Sequence, residues 1–172
     1  FRLYQYIDFW PKGTIFVSVV DPGVGTARRA CAAKTKNGYF IVTPDNGSLT
    51  HVYNKWGIEE VREIDETVNR LHRDDNGYVS IFHGRDLFGY CAAKLASGKI
   101  SFEEVGPTYP VEEIVRHDLH KAQIVDGKLE GTFEINDPNF GNLWTNIPLD
   151  LFKEMGFKMG DSVKTTIYLN DE

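Results

Sequence analysis

The chain has 172 residues, which is long enough for one domain or for one domain and a small second one. Its 19 Lys and Arg against 25 Asp and Glu give a formal net charge of −6, so no surface-wide positive field favours nucleic acid or an anionic membrane as a partner. Hydrophobic residues at 41% and charged residues at 26% are typical of a compact globular protein and exclude a disordered chain.

The first elements in chain order predict an α/β sheet. Apolar residues at helical spacing predict the tail of a helix over residues 1–10. Residues 14–20 are β-branched and aromatic with almost no polar break, which predicts a strand buried on both faces. The dipeptide Asn37-Gly38 predicts a hairpin between strands 30–35 and 39–43.

The middle of the chain adds further predicted helices and strands to this sheet. Ser48 is the predicted cap of a short helix that ends at Gly57, and a strand over 58–64 follows. Residues 65–77 are polar and mixed in charge, so we predict a surface excursion there before a strand over 78–82.

A second helix is predicted to open at His83-Gly-Arg-Asp86. Leu87, Cys91 and Leu95 follow at intervals of four residues and form one apolar stripe, and Gly98 ends the pattern. This stripe predicts a helix packed on the sheet.

The last third predicts a different, mostly β unit. Two prolines and a run of charge between Gly106 and about His120 are typical of a connector. We therefore predict an N-terminal α/β sheet domain over 1–118 and a smaller, mostly β C-terminal domain over 119–172. The predicted elements of the second domain are strands over 121–125, 128–135 and 162–169, a turn at Asp126-Gly127 and a helix over 148–155.

Two polar groups stand where a sheet meets its loops. Asp21-Pro-Gly-Val-Gly-Thr-Ala-Arg28 places a carboxylate at the end of a predicted strand and a guanidinium seven residues later, and strand ends are where α/β sheets bind ligands. The glycine spacing matches neither a dinucleotide nor a P-loop fingerprint. The alternative is a tight turn with a surface arginine.

His83 is the second candidate, because the N-terminus of a helix favours a neutral imidazole that accepts a proton or positions a water. The predicted loop over 137–146 is the third candidate, with a carboxylate, amides and aromatic rings around a glycine. Asp137 could hold an ammonium, Asn142 could read polar edges, and Phe140 or Trp144 could stack on a heterocycle or a cation. An amide-rich turn with two core aromatics is the alternative.

Four motifs together resemble one family. Val19-Val-Asp-Pro-Gly-Val-Gly25 with Arg28, Thr43-Pro-Asp-Asn-Gly47, Phe82-His-Gly-Arg-Asp86, and Phe140-Gly-Asn142 with Thr145-Asn-Ile147 are similar to the S-adenosyl-L-methionine (SAM) hydroxide adenosyltransferases, or SAM hydrolases, relatives of the fluorinase and chlorinase enzymes. The motifs occur in the family's order and spacing over nearly the whole chain.

The resemblance implies hydrolysis of SAM to adenosine and L-methionine with no cofactor and no metal, in a homotrimer with active sites between subunits. It implies a catalytic triad of Asp21, Arg28 and His83. It also assigns substrate contacts to Asp137, which would hold the ammonium, and to Asn142, with Phe140 and Trp144 around the adenosyl and sulfonium region.

Displacement of a neutral thioether needs no acid, so the triad has only to position and activate a water. A carboxylate paired with arginine is a weak base. We therefore expect Asp21 and His83 to orient the water while Arg28 favours hydroxide character. The residues leave open which of them takes the proton.

Three further expectations concern the completeness of the domains, the alternative functions and the location. Both domains are expected to be incomplete, because family members have a further ribose-binding stretch before this segment and an adenine-contacting stretch after it. Halide-dependent adenosyl transfer and a non-catalytic adenosyl-binding module are the alternative functions. The paucity of cysteine, with Cys31 and Cys91 alone, predicts a reducing, cytoplasmic location.

Overall fold

A computed structural model of the chain describes residues 1–23, 26–72 and 82–168. The chain divides into two compact units, of which the first is Phe1–His117 and the second begins at Asp118. None of the helices in the described ranges is both long and apolar enough to cross a membrane.

The first unit is built on a four-stranded mixed sheet with the order β1-β3-β2-β4. Its strands are β1 (Ile15–Val17), β2 (Ala30–Thr35), β3 (Phe40–Pro44) and β4 (Ile58–Glu63). Strand β1 runs parallel to β3, and β2 runs antiparallel to both β3 and β4. The predicted hairpin is confirmed as β2–β3, with Gly38 at φ 89° in its turn.

The burial predicted for the first strand is wrong. Among the described strands β1 has only β3 beside it, so it is an edge strand. Val17 is 47% exposed and Val20, beyond the end of the strand, is 80% exposed. An apolar run indicates that a segment suits burial, but the neighbouring elements decide whether it is covered.

Two short helices precede and follow the strand hairpin. Helix α1 (Arg2–Tyr6) continues into a 3₁₀ turn over Ile7–Phe9, and helix α2 (Thr50–Trp56) ends at Gly57 as predicted. Ser48 does not cap α2. Its hydroxyl donates to the Pro44 carbonyl at 3.0 Å and lies 2.7 Å from the Thr43 hydroxyl, so it closes the preceding turn instead.

The predicted surface excursion contains a short helix with a buried residue. Helix α3 (Glu66–Asn69) lies within it, and Asn69 is fully buried. Residues 78–81 of the next predicted strand lie outside the described residues, and Phe82 belongs to no strand.

The helix predicted at His83 is confirmed. It begins as a π-helical segment over Gly84–Gly89 and continues as α4 (Tyr90–Ala96). Leu87 and Cys91 of the predicted stripe are buried, and Gly98 follows at φ 67°.

The sheet carries an apolar layer on each face. Because side chains alternate along a strand, Cys31 and Ala33 of β2 pack on one face with α2, while Ala30 and Ala32 pack on the other with α4. The small side chains of β2 allow close packing on both faces of this central strand. This two-sided burial is the arrangement expected of an α/β sheet.

Residues 106–117 are not a free connector. Thr108 forms an isolated bridge with Arg62, a 3₁₀ turn spans Val111–Glu113, and Ile114 is 3% exposed within the core beside α2. The prolines and charges of this segment therefore mark an irregular strap that packs on the first unit.

The second unit contains two hairpins and one short helix. These are β5 (Gln123–Val125) with β6 (Lys128–Glu130), β7 (Phe133–Asp137) with β8 (Asn142–Thr145), and α5 (Leu149–Glu154). Asp126 and Gly127 have φ angles of 49° and 71°, so the predicted turn is confirmed as one that needs positive φ at both positions.

Three predictions for the second unit are wrong. The strand predicted over 128–135 is interrupted at Gly131 and Thr132, where the Asn146 side chain accepts a hydrogen bond from the Thr132 N–H at 2.8 Å. Residues 142–145, predicted as loop, form β8. Residues 162–168 alternate like a strand but form none, because no described strand pairs with them.

Candidate active site

Asp21 and Arg28 form an ion pair within the segment that follows β1. Arg28 donates from Nη1 to Asp21 Oδ1, and the Gly23 N–H donates to the same oxygen at 2.9 Å. The Asp21 side chain is 2% exposed and that of Arg28 is 37% exposed. The predicted turn therefore holds a buried carboxylate against a guanidinium, which favours the ligand-binding interpretation over a turn with a surface arginine. Val24 and Gly25 of this motif lie outside the described residues.

Gly23 has no side chain at the position where Arg28 crosses the loop. A Cβ built on Gly23 would lie 2.9 Å from Nη2 of Arg28 and 3.1 Å from its Cζ. A larger residue would shift the guanidinium relative to Asp21, so the missing side chain at Gly23 leaves room for this ion pair.

His83 completes a cleft with this pair. It sits at the N-cap of the π-helical segment, as expected for an imidazole at a helix N-terminus, and it lines one small cleft with Asp21 and Arg28. The free volume of this cleft is about 20 Å³, close to what a single water molecule needs. All three residues of the predicted triad thus come together.

The cleft also contains residues that the sequence alone did not single out. Thr26, Arg29 and Glu66 line it, with Leu87 and Phe88 as an apolar wall. Glu66 is the first residue of α3, a helix that lay inside the predicted surface excursion. No spacing or motif connects Glu66 to Asp21, so only the folded chain places them in one cleft.

Arg29, which also lines the cleft, is held by a polar cluster around the buried Asp45 carboxylate. Its Nε lies 3.3 Å from Asp45 Oδ2, its Nη2 donates to the Glu113 carbonyl at 3.0 Å, and its guanidinium stacks 4.1 Å from the centre of the Tyr109 ring. Asp45 also accepts from the Tyr109 hydroxyl at 3.0 Å and from the Val115 N–H at 2.8 Å.

Burial also changes the titration of this cluster. It raises the pKa of the Tyr109 phenol far above its ordinary value, and it raises the pKa of the adjacent Cys31 thiol to about 12. Both groups are therefore neutral near pH 7 and serve as packing and hydrogen-bonding groups.

The substrate-binding residues predicted near the C-terminus lie together in the second unit. Asp137 at the end of β7 pairs across the strands with Asn142, the first residue of β8. Trp144 pairs with Ile135, so Asp137, Asn142 and Trp144 share one face of this hairpin. Trp144 is 42% exposed and Phe140, in the turn, is 78% exposed. The segment is an exposed hairpin rather than a turn with core aromatics.

Within the described ranges, no three His, Cys, Asp or Glu side chains come together in a way that could hold a metal ion. The first unit is thus a mixed α/β sheet with a carboxylate, a guanidinium and an imidazole around a water-sized cleft at the end of a strand, which is where proteins of this class bind small polar ligands.

Comparison with known proteins identifies the family. The model of the SAM hydroxide adenosyltransferase N-terminal domain matches residues 1–106. An (R)-S-adenosyl-L-methionine hydrolase from Methanocaldococcus jannaschii is 33% identical over 96% of this chain and 53% of its own length. One from Thermus thermophilus is 35% identical over 91% of this chain and 60% of its own length. A fluorinase from Actinopolyspora mzabensis is 28% identical over 92% of this chain and 59% of its own length.

A solved structure has a similar fold. The crystal structure of an uncharacterized conserved protein from Thermotoga maritima superimposes with a TM-score of 0.82 at 38% identity, over 92% of this chain and 58% of that one. The chain therefore belongs to the SAM hydroxide adenosyltransferase family. The resemblance and the fold class expected from the sequence are confirmed, and the chain spans between half and three-fifths of these relatives' length.

Proposed function

We propose that the protein hydrolyses SAM to adenosine and L-methionine. The observation that carries this proposal is the meeting of Asp21, Arg28 and His83 around a cleft with room for about one water. The two relatives named as (R)-S-adenosyl-L-methionine hydrolases, at 33% and 35% identity, support the same reaction.

The chemistry requires one activated nucleophile. The water oxygen forms a bond to C5′ of the ribose, the bond from C5′ to sulfur breaks, and its electron pair stays on sulfur. Methionine leaves as a neutral thioether, so no acid is needed. The water gives up one proton to a base of the triad, from which it passes to solvent. The Asp21 carboxylate and the His83 imidazole accept hydrogen bonds from the water and set its line of attack, while the Arg28 guanidinium stabilises developing hydroxide charge.

The hairpin β7–β8 is the proposed contact for the methionine and adenosyl groups. Asp137 would bind the substrate ammonium and Asn142, its cross-strand partner, would bind a neighbouring polar group. The exposed rings of Phe140 and Trp144 offer apolar and cation–π surface to the adenosyl and sulfonium region.

The remaining expectations are proposals of the same kind. The reaction uses no cofactor and no metal, the protein is cytoplasmic, and it forms a homotrimer with active sites between subunits, without nucleic acid or membrane as a partner. Light scattering on the full-length protein should give three times the mass of one chain, and turnover should survive extensive treatment with a chelator.

The decisive experiment is incubation of the full-length protein with SAM, with and without chloride or fluoride, followed by chromatography. Equal amounts of adenosine and methionine, formed without halide, are expected. A halogenated nucleoside that forms only with halide would indicate adenosyl transfer, the chemistry of the fluorinase relatives. Binding of SAM without any product would leave a binding module.

A further inference from the structure

Glu66 gives the cleft a second carboxylate that the proposed triad does not use. It lines the same cleft as Asp21, Arg28 and His83. Its side chain is 49% exposed, and Arg70 contacts Oε2 from Nε at 2.9 Å and from Nη2 at 2.7 Å. Among the described residues Oε1 has no hydrogen-bond partner, so this oxygen is available to a ligand in the cleft.

Helix α3 holds Glu66 firmly at the cleft wall. Asp65 caps the helix, accepting from the Thr67 N–H at 2.9 Å and from the Thr67 hydroxyl at 2.6 Å. At the other end the buried Asn69 side chain donates to the Val105 carbonyl at 2.8 Å and accepts from Lys94 Nζ at 2.7 Å. These contacts anchor both ends of the helix that carries Glu66.

The charged groups that line the cleft each have an opposite charge beside them. These pairs are Arg28 with Asp21, Arg29 with Asp45, and Glu66 with Arg70. Replacing the Glu66 carboxylate with a neutral group removes one negative charge from the cleft wall. The wall then becomes more positive by one charge, which favours a small anion over a neutral water.

We propose that Glu66 is a specificity-determining residue that keeps halide anions out of the cleft, so that water is the nucleophile that reaches C5′. The proposal rests on the proposed hydrolysis of SAM. A carboxylate repels chloride but accepts a hydrogen bond from water. Glu66 therefore disfavours chloride relative to water in the cleft.

The test compares chloride inhibition of adenosine formation in wild-type full-length protein and in Glu66→Gln, at constant ionic strength kept with a large organic anion. Each protein is measured relative to its own chloride-free rate. We expect the inhibition constant for chloride to fall about fivefold to tenfold in Glu66→Gln, because the wall beside the nucleophile site then carries one negative charge fewer. Glu66→Asp, which keeps the charge, should restore resistance to chloride.

Glu59→Gln is the matched control. Glu59 is also about half exposed and also pairs with a cation, Lys34 Nζ at 2.7 Å, but it lies on β4 outside the cleft lining. Its chloride constant should equal that of the wild type. Equal constants for Glu66→Gln and the wild type would overturn the proposal, as would the same fall in the Glu59 variant.

A measurement of chloride binding tests the role of Glu66 independently of the proposed hydrolysis of SAM. Titration of chloride into each protein, followed by calorimetry, needs no turnover, so tighter binding to Glu66→Gln would support the role of Glu66 even if the wild type formed no adenosine. If Glu66→Gln failed to fold by circular dichroism, Glu66→Ala would serve as the second charge-removing variant. Equal chloride binding by the folded variant and the wild type would refute the proposal.

Discussion

We propose that Asp21 acts on the attacking water rather than on substrate affinity. Its carboxylate is 2% exposed and is oriented by Arg28 and by the Gly23 N–H. We expect Asp21→Ala to lower kcat by about a hundredfold to ten-thousandfold, the usual effect of losing a group that activates a nucleophile, with little change in KM. Steady-state kinetics of adenosine release measures both constants. A large rise in KM at unchanged kcat would contradict the role.

Substitution of Asp137 should change KM rather than kcat. If its carboxylate binds the substrate ammonium through a charged hydrogen bond, Asp137→Ala weakens SAM binding by about 1.5–3 kcal/mol, seen as a raised KM at nearly constant kcat. Asp150→Ala is the control, because Asp150 lies on α5 with an 89% exposed side chain. An unchanged KM in Asp137→Ala would remove this residue from the site.

The two cysteines of this chain should be inert at neutral pH. Burial raises the pKa of Cys31 to about 12 and that of Cys91 to about 11. Because the thiolate is the reactive form, neither should be alkylated by iodoacetamide at pH 8 in the native protein, and both should react in denaturant. Peptide mass spectrometry reads each site separately. Rapid native labelling of Cys31 would show that the cluster around Asp45 opens readily.

Residue patterns singled out Asp21, Arg28 and His83 as candidates, and the family resemblance grouped them as a triad, but neither indicated the residues around them. Asp21, Arg28 and His83 stand next to a strand end, a glycine-rich turn and a helix start, which are signals within a few residues. Glu66 has no such signal, because its place in the cleft follows from the packing of α3 against elements distant in the chain.

At the scale of elements, the backbone at Gly106 packs so closely against the end of β4 that it has no room for a side chain. Gly106 has φ 153°, and a Cβ there would lie 2.8 Å from Asp65 N and closer still to the Glu63 carbonyl oxygen. We expect Gly106→Ala to lower the free energy of unfolding by about 2–3 kcal/mol, since backbone strain and overlap with backbone atoms add.

Gly98→Ala provides the comparison for that substitution. Gly98 also has a positive φ, 67°, but nothing lies within 4 Å of the added Cβ. Only the backbone strain remains, so Gly98→Ala should lower the free energy of unfolding by about 1 kcal/mol. Urea unfolding of both variants measures the difference, and equal costs would show that the chain moves freely at Gly106.

The two hairpins with a strong turn signal were predicted correctly, whereas strand β8 and the segment 162–168 were not. Asn37-Gly38 and Asp126-Gly127 need positive φ, so the turn chemistry itself indicates a hairpin. Strand β8 is rich in amide and aromatic side chains and was predicted as loop. The segment 162–168 alternates correctly yet forms no strand, because alternation indicates suitability for a sheet and not the presence of a partner.

Across the whole first unit, Asp45 ties the strap over 106–117 to the sheet. Its buried carboxylate contacts Arg29, Tyr109 and the Val115 N–H. We expect Asp45→Ala to lower the free energy of unfolding by about 3 kcal/mol or more, because it leaves the partners of a buried ion pair unsatisfied.

Tyr109→Phe is the milder variant, since it removes one hydrogen bond to Asp45 and keeps the ring under Arg29. It should cost about 1 kcal/mol. Chemical denaturation of both variants gives the two values. A loss in Asp45→Ala as small as that in Tyr109→Phe would show that water replaces the carboxylate without strain.

The sequence by itself determined the α/β character of the first unit, the hairpins with positive-φ turns, the helix at His83 and the resemblance to a family. These depend on periodicity, on glycine conformation and on short motifs, all of which act over a few residues. The tertiary structure decided that β1 is an edge among the described strands, that the strap packs on the sheet and that Glu66 faces the cleft. Those features depend on contacts between distant positions, such as Asp45 and Val115, 70 residues apart. No local pattern records which distant groups will meet, because their meeting is set by how all the elements pack together.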